Sequence, residues 1–225
     1  MYARGRGESS APPEGSTLSG EPDDARNVGD RCAKDALSLM DQLGIQKVHW
    51  FGAASGGVIG VLFATSYPDR VKSLILFNSP YKYPDHLASR WVFGEKDVPT
   101  AIRKFGMKEW VVRSHQATDI LDIQTVKSKM EAWVLDQRQK IPTHAYASVF
   151  EWVLAFDTRG YFPKIKAPTL ILATKRSFVM SIEEQQFVQK QIPNSKLLVF
   201  EEPQIHMTIP ERCAETIHSF IQSLG

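Results

Sequence analysis

Apolar residues recur along this chain with two different periods, and the alternation between them outlines the architecture. From Val28 to Leu43 they fall at helical spacing, with Val28, Cys32, Ala36, Leu39, Met40 and Leu43 on one face. Gly44 ends that pattern, and Val48-His49-Trp50-Phe51 reads as a buried strand. A small-residue turn, Gly52-Ala53-Ala54-Ser55-Gly56-Gly57, follows and opens a second apolar helix. Ser73-Leu74-Ile75-Leu76-Phe77 is the next strand. After a long interval the strand pattern returns at Ala167-Pro168-Thr169-Leu170-Ile171-Leu172-Ala173 and again at Lys196-Leu197-Leu198-Val199-Phe200. Between these two lies a helix from Ser181 to Gln191, with Ser181 and Glu184 spaced as a capping box. Pro210 to Leu224 forms a closing helix. Strands alternating with helices predict a parallel sheet with helices on its faces.

Residues 83–156 break the alternation. Trp91, Phe93, Ile102, Phe105, Trp110, Val111, Val112, Met130, Trp133, Val134, Phe150, Trp152, Val153 and Phe156 come at roughly helical intervals, with no strand between them. The pattern predicts an inserted layer of helices. Most of its aromatics are expected to bury that layer against itself and the sheet. Residues 1–27 are rich in Gly, Pro, Ser and charge and read as a loop or disordered tail.

At 225 residues and 43% hydrophobic, the chain suits one domain with a sizeable core. A net charge of +2, with the basic residues dispersed, argues against a nucleic-acid partner. Cys32 and Cys213 are too few for a disulfide framework and are expected to be small buried apolar residues. The histidines, at 49, 86, 115, 144, 206 and 218, show no metal-ligand spacing, so no metal or cofactor is expected. Neither a signal-peptide pattern nor a membrane-spanning apolar run is visible. The expected location is the cytoplasm, with no membrane partner.

The turn at 52–57 carries the most chemical information. Strand, glycine turn and helix in that order also describe a phosphate loop, but the Lys-Ser/Thr of a P-loop is absent. The segment resembles the nucleophile elbow of α/β-hydrolases, Gly-x-Ser-x-Gly-Gly, whose serine attacks an acyl carbon. Gly52, Gly56 and Gly57 match, and Ala54 stands at the serine position. Shifted by one, Ala53-Ala54-Ser55-Gly56-Gly57 would make Ser55 the nucleophile. The downstream run Tyr67-Pro68-Asp69-Arg70-Val71 sets the family spacing and favours Ala54. The resemblance extends to Gly5, Gly7 and Ser9, which match a loop that follows the family's fourth strand. It extends also to the Pro-Thr-Leu-Ile-Leu strand and to a histidine near the terminus.

The resemblance implies an α/β fold, with a mostly parallel sheet of the α/β-hydrolase type. Residues 1–82 and 157–225 would form the core and 83–156 a helical cap, and the family's N-terminal strands would be missing. It implies His206 as general base and the Ser55 backbone N–H as an oxyanion donor. The acid would follow one of two strands, at Asn78 or at Ser177, and neither carries a carboxylate. The usual glycine before the histidine is Ile205. The implied activity is hydrolysis of a small apolar ester, lactone or related carbonyl compound bound under the cap. The alternative is a non-catalytic protein of the same fold that binds a small apolar ligand or a protein partner. A sheet without its early strands leaves an open edge, which implies a homodimer through that edge, a cover formed by the N-terminal tail, or a truncated gene product.

Overall fold

The computed structural model describes residues 27–117, 133, 136–177, 179–202, 205 and 209–225. The Gly-rich loop at 4–9, Met130, Val134 and His206 lie outside the described residues. Two compact units are present, one holding Tyr83–Phe156 and the other Gly29–Lys82 with Asp157–Gly225.

The second unit is a parallel sheet of four strands in the order β1-β2-β3-β4: β1 Val48–Ala53, β2 Val71–Phe77, β3 Thr169–Thr174 and β4 Ser195–Phe200. Register pairs Phe51 with Ile75, Leu76 with Ile171, and Ile171 with Leu197. The helices of this unit are α1 Asn27–Gln42, α2 Ser55–Ser66, α6 Ile182–Gln191 and α7 Pro210–Gln222. Those of the first unit are α3 Asp85–Arg90, α4 Val98–Ala117 and α5 Thr143–Ala155. No described helix is long and apolar enough to cross a membrane.

The two central strands explain the layering. All six residues of β3 are buried, and β2 exposes only Lys72. A strand buried on both faces reads as a continuous apolar run, which is why alternation is weak there. One face carries Leu74, Leu76 and Ile171 against Ala33, Ala36 and Met40 of α1, Val61 and Phe63 of α2, and Val188 of α6. The other carries Ile75, Phe77, Leu170, Leu172 and Phe200 against Cys213 and Phe220 of α7. Each fully buried side chain of this size contributes roughly 1.5–3 kcal/mol.

Helix α1 begins and ends one residue earlier than the pattern predicts. Leu43 lies beyond it and is exposed, and the buried face runs through Ala33 rather than Cys32. Cys32 is half-buried, while Cys213 is buried and its thiol is pushed up by desolvation. The capping box of α6 is present: Ser181 Oγ accepts from Glu184 N at 3.2 Å, and Ser181 N donates to Glu184 Oε2 at 2.7 Å.

In the first unit Tyr83, Trp91, Trp110, Tyr146 and Phe150 pack on one another, with ring centroids 5.4–6.1 Å apart. Trp133 and Val112 are exposed, and Phe93 and Phe105 are half-buried. Desolvation holds the Tyr83 phenol far above its ordinary range. Helix α4 is broken at Gly106, whose φ of 70° is open to glycine at little cost.

Among the described residues β1 pairs with one strand only, and it exposes His49 and Phe51 on the face that carries Ile75. His49 Nδ1 lies 2.8 Å from Ser73 Oγ. Desolvation, helped by Lys72, holds this imidazole below its ordinary 6.5. The unfolded chain therefore binds this proton more readily than the folded one. The contribution is full above about pH 6.5 and is lost as pH falls through the lowered folded value. Urea unfolding at about pH 5 and about pH 7.5 will show a shallower pH dependence in His49→Gln than in the parent.

Candidate active site

All four strands run parallel, so their C-terminal ends share one edge of the sheet, where ligands of open α/β sheets are bound. Ala54 follows β1, Asn78 follows β2, Lys175–Ser177 follows β3 and Glu201 follows β4. The topology thus places positions 54, 78 and 177 along a single edge.

Ala54 is the tip of the turn. Its φ is 47° and its ψ −121°, a region that costs a residue with a Cβ about 1–3 kcal/mol. Ser55 is the first residue of α2. The side chain at the strained tip is therefore a methyl, and it is exposed.

Close packing imposes the strain. A Cβ on Gly52 would lie 2.4 Å from Gly56 O and from Gly57 N, and a Cβ on Gly57 would lie 1.9 Å from Ser79 Oγ. Helix α2 can start that close to β1 only if both positions lack side chains. Trp50 Nε1 donates to Gly56 O at 3.1 Å and ties the first turn of the helix to the strand. Ala54 N donates to Phe77 O at 3.0 Å, and Gly57 N donates to Ala54 O at 3.0 Å. The first turn of α2 holds no acidic residue and has no side-chain cap. A helix start of this kind is able to receive an anionic oxygen, and the Ser55 N–H lies in that turn.

The acid positions are engaged in local bonds. Ser177 Oγ accepts from Val179 N and Met180 N, both at 3.2 Å, and so closes its own loop. Asn78 is buried with a φ of 43°. Its Nδ2 donates to Thr174 Oγ1 at 3.3 Å, and its Oδ1 accepts from Gln185 Nε2 at 3.3 Å. Glu201 pairs with Lys175 at 2.6 Å, which leaves that carboxylate bridging the ends of β3 and β4. Glu202 pairs with Arg212 at 3.3 Å.

Ile205, where the resemblance implies a glycine, is a packing residue. It is fully buried among Ile75, Phe77 and Phe200, and its carbonyl accepts from Ile209 N at 3.1 Å.

The reading from sequence passed over Trp50, Ser79 and Gln185. Gln185 had a visible signal: it shares the core face of α6 with Val188 and Ile192, at three- and seven-residue spacing. A Gln at a core position demands buried partners.

The α/β-hydrolase-fold family model matches residues 3–209. The chain belongs to that family. Over 177 residues it is 23% identical to RutD of Stutzerimonas stutzeri (strain A1501), named as a carbamate hydrolase, covering 73% of this chain and 62% of that one. It is 24% identical over 203 residues to 3-oxoadipate enol-lactonase 1 of Acinetobacter baylyi (strain ATCC 33305 / BD413 / ADP1), covering 88% of this chain and 71% of the relative. The enol-lactonase of Burkholderia xenovorans LB400 superposes with a TM-score of 0.77 at 21% identity, covering 98% of this chain and 78% of that one. The chain thus spans less than two thirds of the RutD protein's length.

Three substitutions test the origin of the strain. Ala54→Gly removes the Cβ from the left-handed tip and will raise stability in urea by about 1 kcal/mol. Gly57→Ala drives a methyl into Ser79 and will lower it by about 1–3 kcal/mol. Gly56→Ala, where nothing lies within 4 Å of the added carbon, will cost far less than Gly57→Ala.

Proposed function

We propose that this chain binds a small, apolar ester, lactone or related carbonyl compound at the elbow and hydrolyses it without an acyl-enzyme. Water activated by His206 is the nucleophile. The observation that carries the reading is the strained tip at Ala54. The turn keeps the backbone geometry that presents a nucleophile and an oxyanion donor, yet the group presented is a methyl. A methyl has no lone pair, so no covalent ester can form there. The Ser55 N–H and the positive end of α2 retain their use: they stabilise negative charge on a carbonyl oxygen. The relatives support the substrate class, since a carbamate hydrolase and an enol-lactonase are both named for an acyl carbon bonded to a heteroatom.

A second reading is favoured by the acid positions. The Asn78 amide is bonded to Thr174 and Gln185, and the Ser177 hydroxyl is bonded within its own loop. Neither is a carboxylate, and loss of the triad acid's charge costs roughly 10⁴ in rate. On this reading the protein holds its ligand, or a protein partner, without turnover.

Fluorophosphonate labelling and ester hydrolysis separate the two. The parent chain will not label, and Ala54→Ser will label at residue 54. Turnover of a panel of short esters and lactones above the buffer rate, lost in His206→Ala, supports the water route. Ester affinity with no turnover in either protein supports the binding reading. Labelling of the parent at Ser55 would overturn both.

A further inference from the structure

We propose that Gln185 is a positioning residue for the elbow, acting through the side chain of Asn78. The inference deepens the reading of the elbow given above and rests on it for its functional meaning.

Asn78 lies between two contacts that hold the elbow in place. On one side of it, the carbonyl of Phe77 accepts from Ala54 N at 3.0 Å. On the other, Ser79 Oγ lies 3.2 Å from both Gly52 O and Phe77 O, and it occupies the space a Gly57 side chain would need. The backbone of Asn78 itself is left-handed, with a φ of 43°. Asn adopts that region more readily than most residues, but it still needs support. The direction in which Phe77 O and Ser79 Oγ point therefore depends on how firmly residue 78 is held.

The side chain does the holding. It is clasped at both ends, by Thr174 Oγ1 at the end of β3 and by Gln185 Nε2 on α6. Asn78 N adds a bond to Leu172 O at 3.4 Å. Asn78, Thr174 and Gln185 are all buried, with Thr174 and Gln185 each 1% exposed. The clasp therefore works where water does not compete for its bonds. It also reaches the second candidate loop, because Ser177 N donates to Thr174 O at 3.3 Å. Helix α6, which supplies Gln185, is itself fixed at its start by the capping box of Ser181 and Glu184.

One feature separates this clasp from ordinary core packing. Gln185 Oε1 is buried and has no hydrogen-bond partner among the described residues. A buried acceptor without a donor weakens a fold, and an apolar side chain of the same shape would avoid that loss. Stability alone does not account for Gln at this position. Its bond to Asn78 does, since that bond fixes a strained turn beside a strained elbow.

The test reads the elbow directly, in the full chain, by amide hydrogen exchange. Gln185→Met keeps the volume and removes the donor. Thr174→Val removes the other end of the clasp with little change of shape. In each, exchange of the Ala54 and Gly57 amides will rise by about 10-fold or more relative to those of Ile75 and Leu172 in the strand centres. Gln185→Glu will stay within about 3-fold of the parent, because a carboxyl oxygen can accept from a reversed Asn78 amide while the Thr174 hydroxyl donates to it. A rise spread evenly over elbow and strand centres would overturn the proposal, and so would a Gln185→Glu variant that matches Gln185→Met. Should Gln185→Met not fold, Thr174→Val carries the same comparison. The readout needs no activity. If no ester or lactone is turned over above the buffer rate, the hydrolytic reading falls and the exchange result still decides the role of Gln185.

Discussion

Helix α2 starts almost on top of β1, and most of what distinguishes this protein follows from that contact. Two glycines permit it, since side chains at Gly52 and Gly57 would overlap backbone or Ser79. The approach forces the residue between strand and helix into a left-handed conformation, and that residue is Ala54. A turn of this kind turns its tip side chain away from the sheet and leaves the first N–H groups of the helix without intrahelical partners. Both consequences are useful to an enzyme that attacks carbonyls. Here the tip side chain is a methyl, and the N–H groups stand at the start of α2.

The persistence of the strain matters more than the missing hydroxyl. Strained backbone survives only where surrounding structure over-determines it. The surroundings are Trp50 on Gly56, Ser79 under Gly57, Phe77 on the Ala54 N–H, and behind them the amide clasp of Asn78. None of these involves the side chain of residue 54. The conformation of the turn therefore does not depend on a hydroxyl there. At the ends of β2 and β3, Asn78 and Ser177 make bonds that serve the fold.

Large parts of the fold were legible in the chain. The βα alternation, the capping box at Ser181, and the long helical interval between β2 and β3 all follow from local pattern and local chemistry. Errors fell where local signals are weak. Leu43 fits the helical period of α1 yet lies beyond the helix, because Gly44 and the chain reversal after it end the burial. Cys32 and Ala33 are adjacent, and only packing against the sheet selects the second for the core. Ala54 and Ser177 stand at positions that a motif singles out, while the signal at Gln185 is only a polar residue on the core face of an amphipathic helix.

By itself the sequence determined the class of fold, the place of the elbow and the absence of a hydroxyl at its family position, because these depend on residues close together in the chain. Three other matters depend on residues far apart in it. One is that Ser79 fills the space beside Gly57, which the pairing of β1 with β2 imposes. Another is that Ile205 joins the core on the face of β2 and β3 that carries Ile75 and Leu170. The last is that the amides of Asn78 and Gln185, 107 residues apart, bond to each other rather than to a ligand. Only the assembled sheet brings such groups within a few ångströms, and only there does a polar side chain acquire the partners that decide its role.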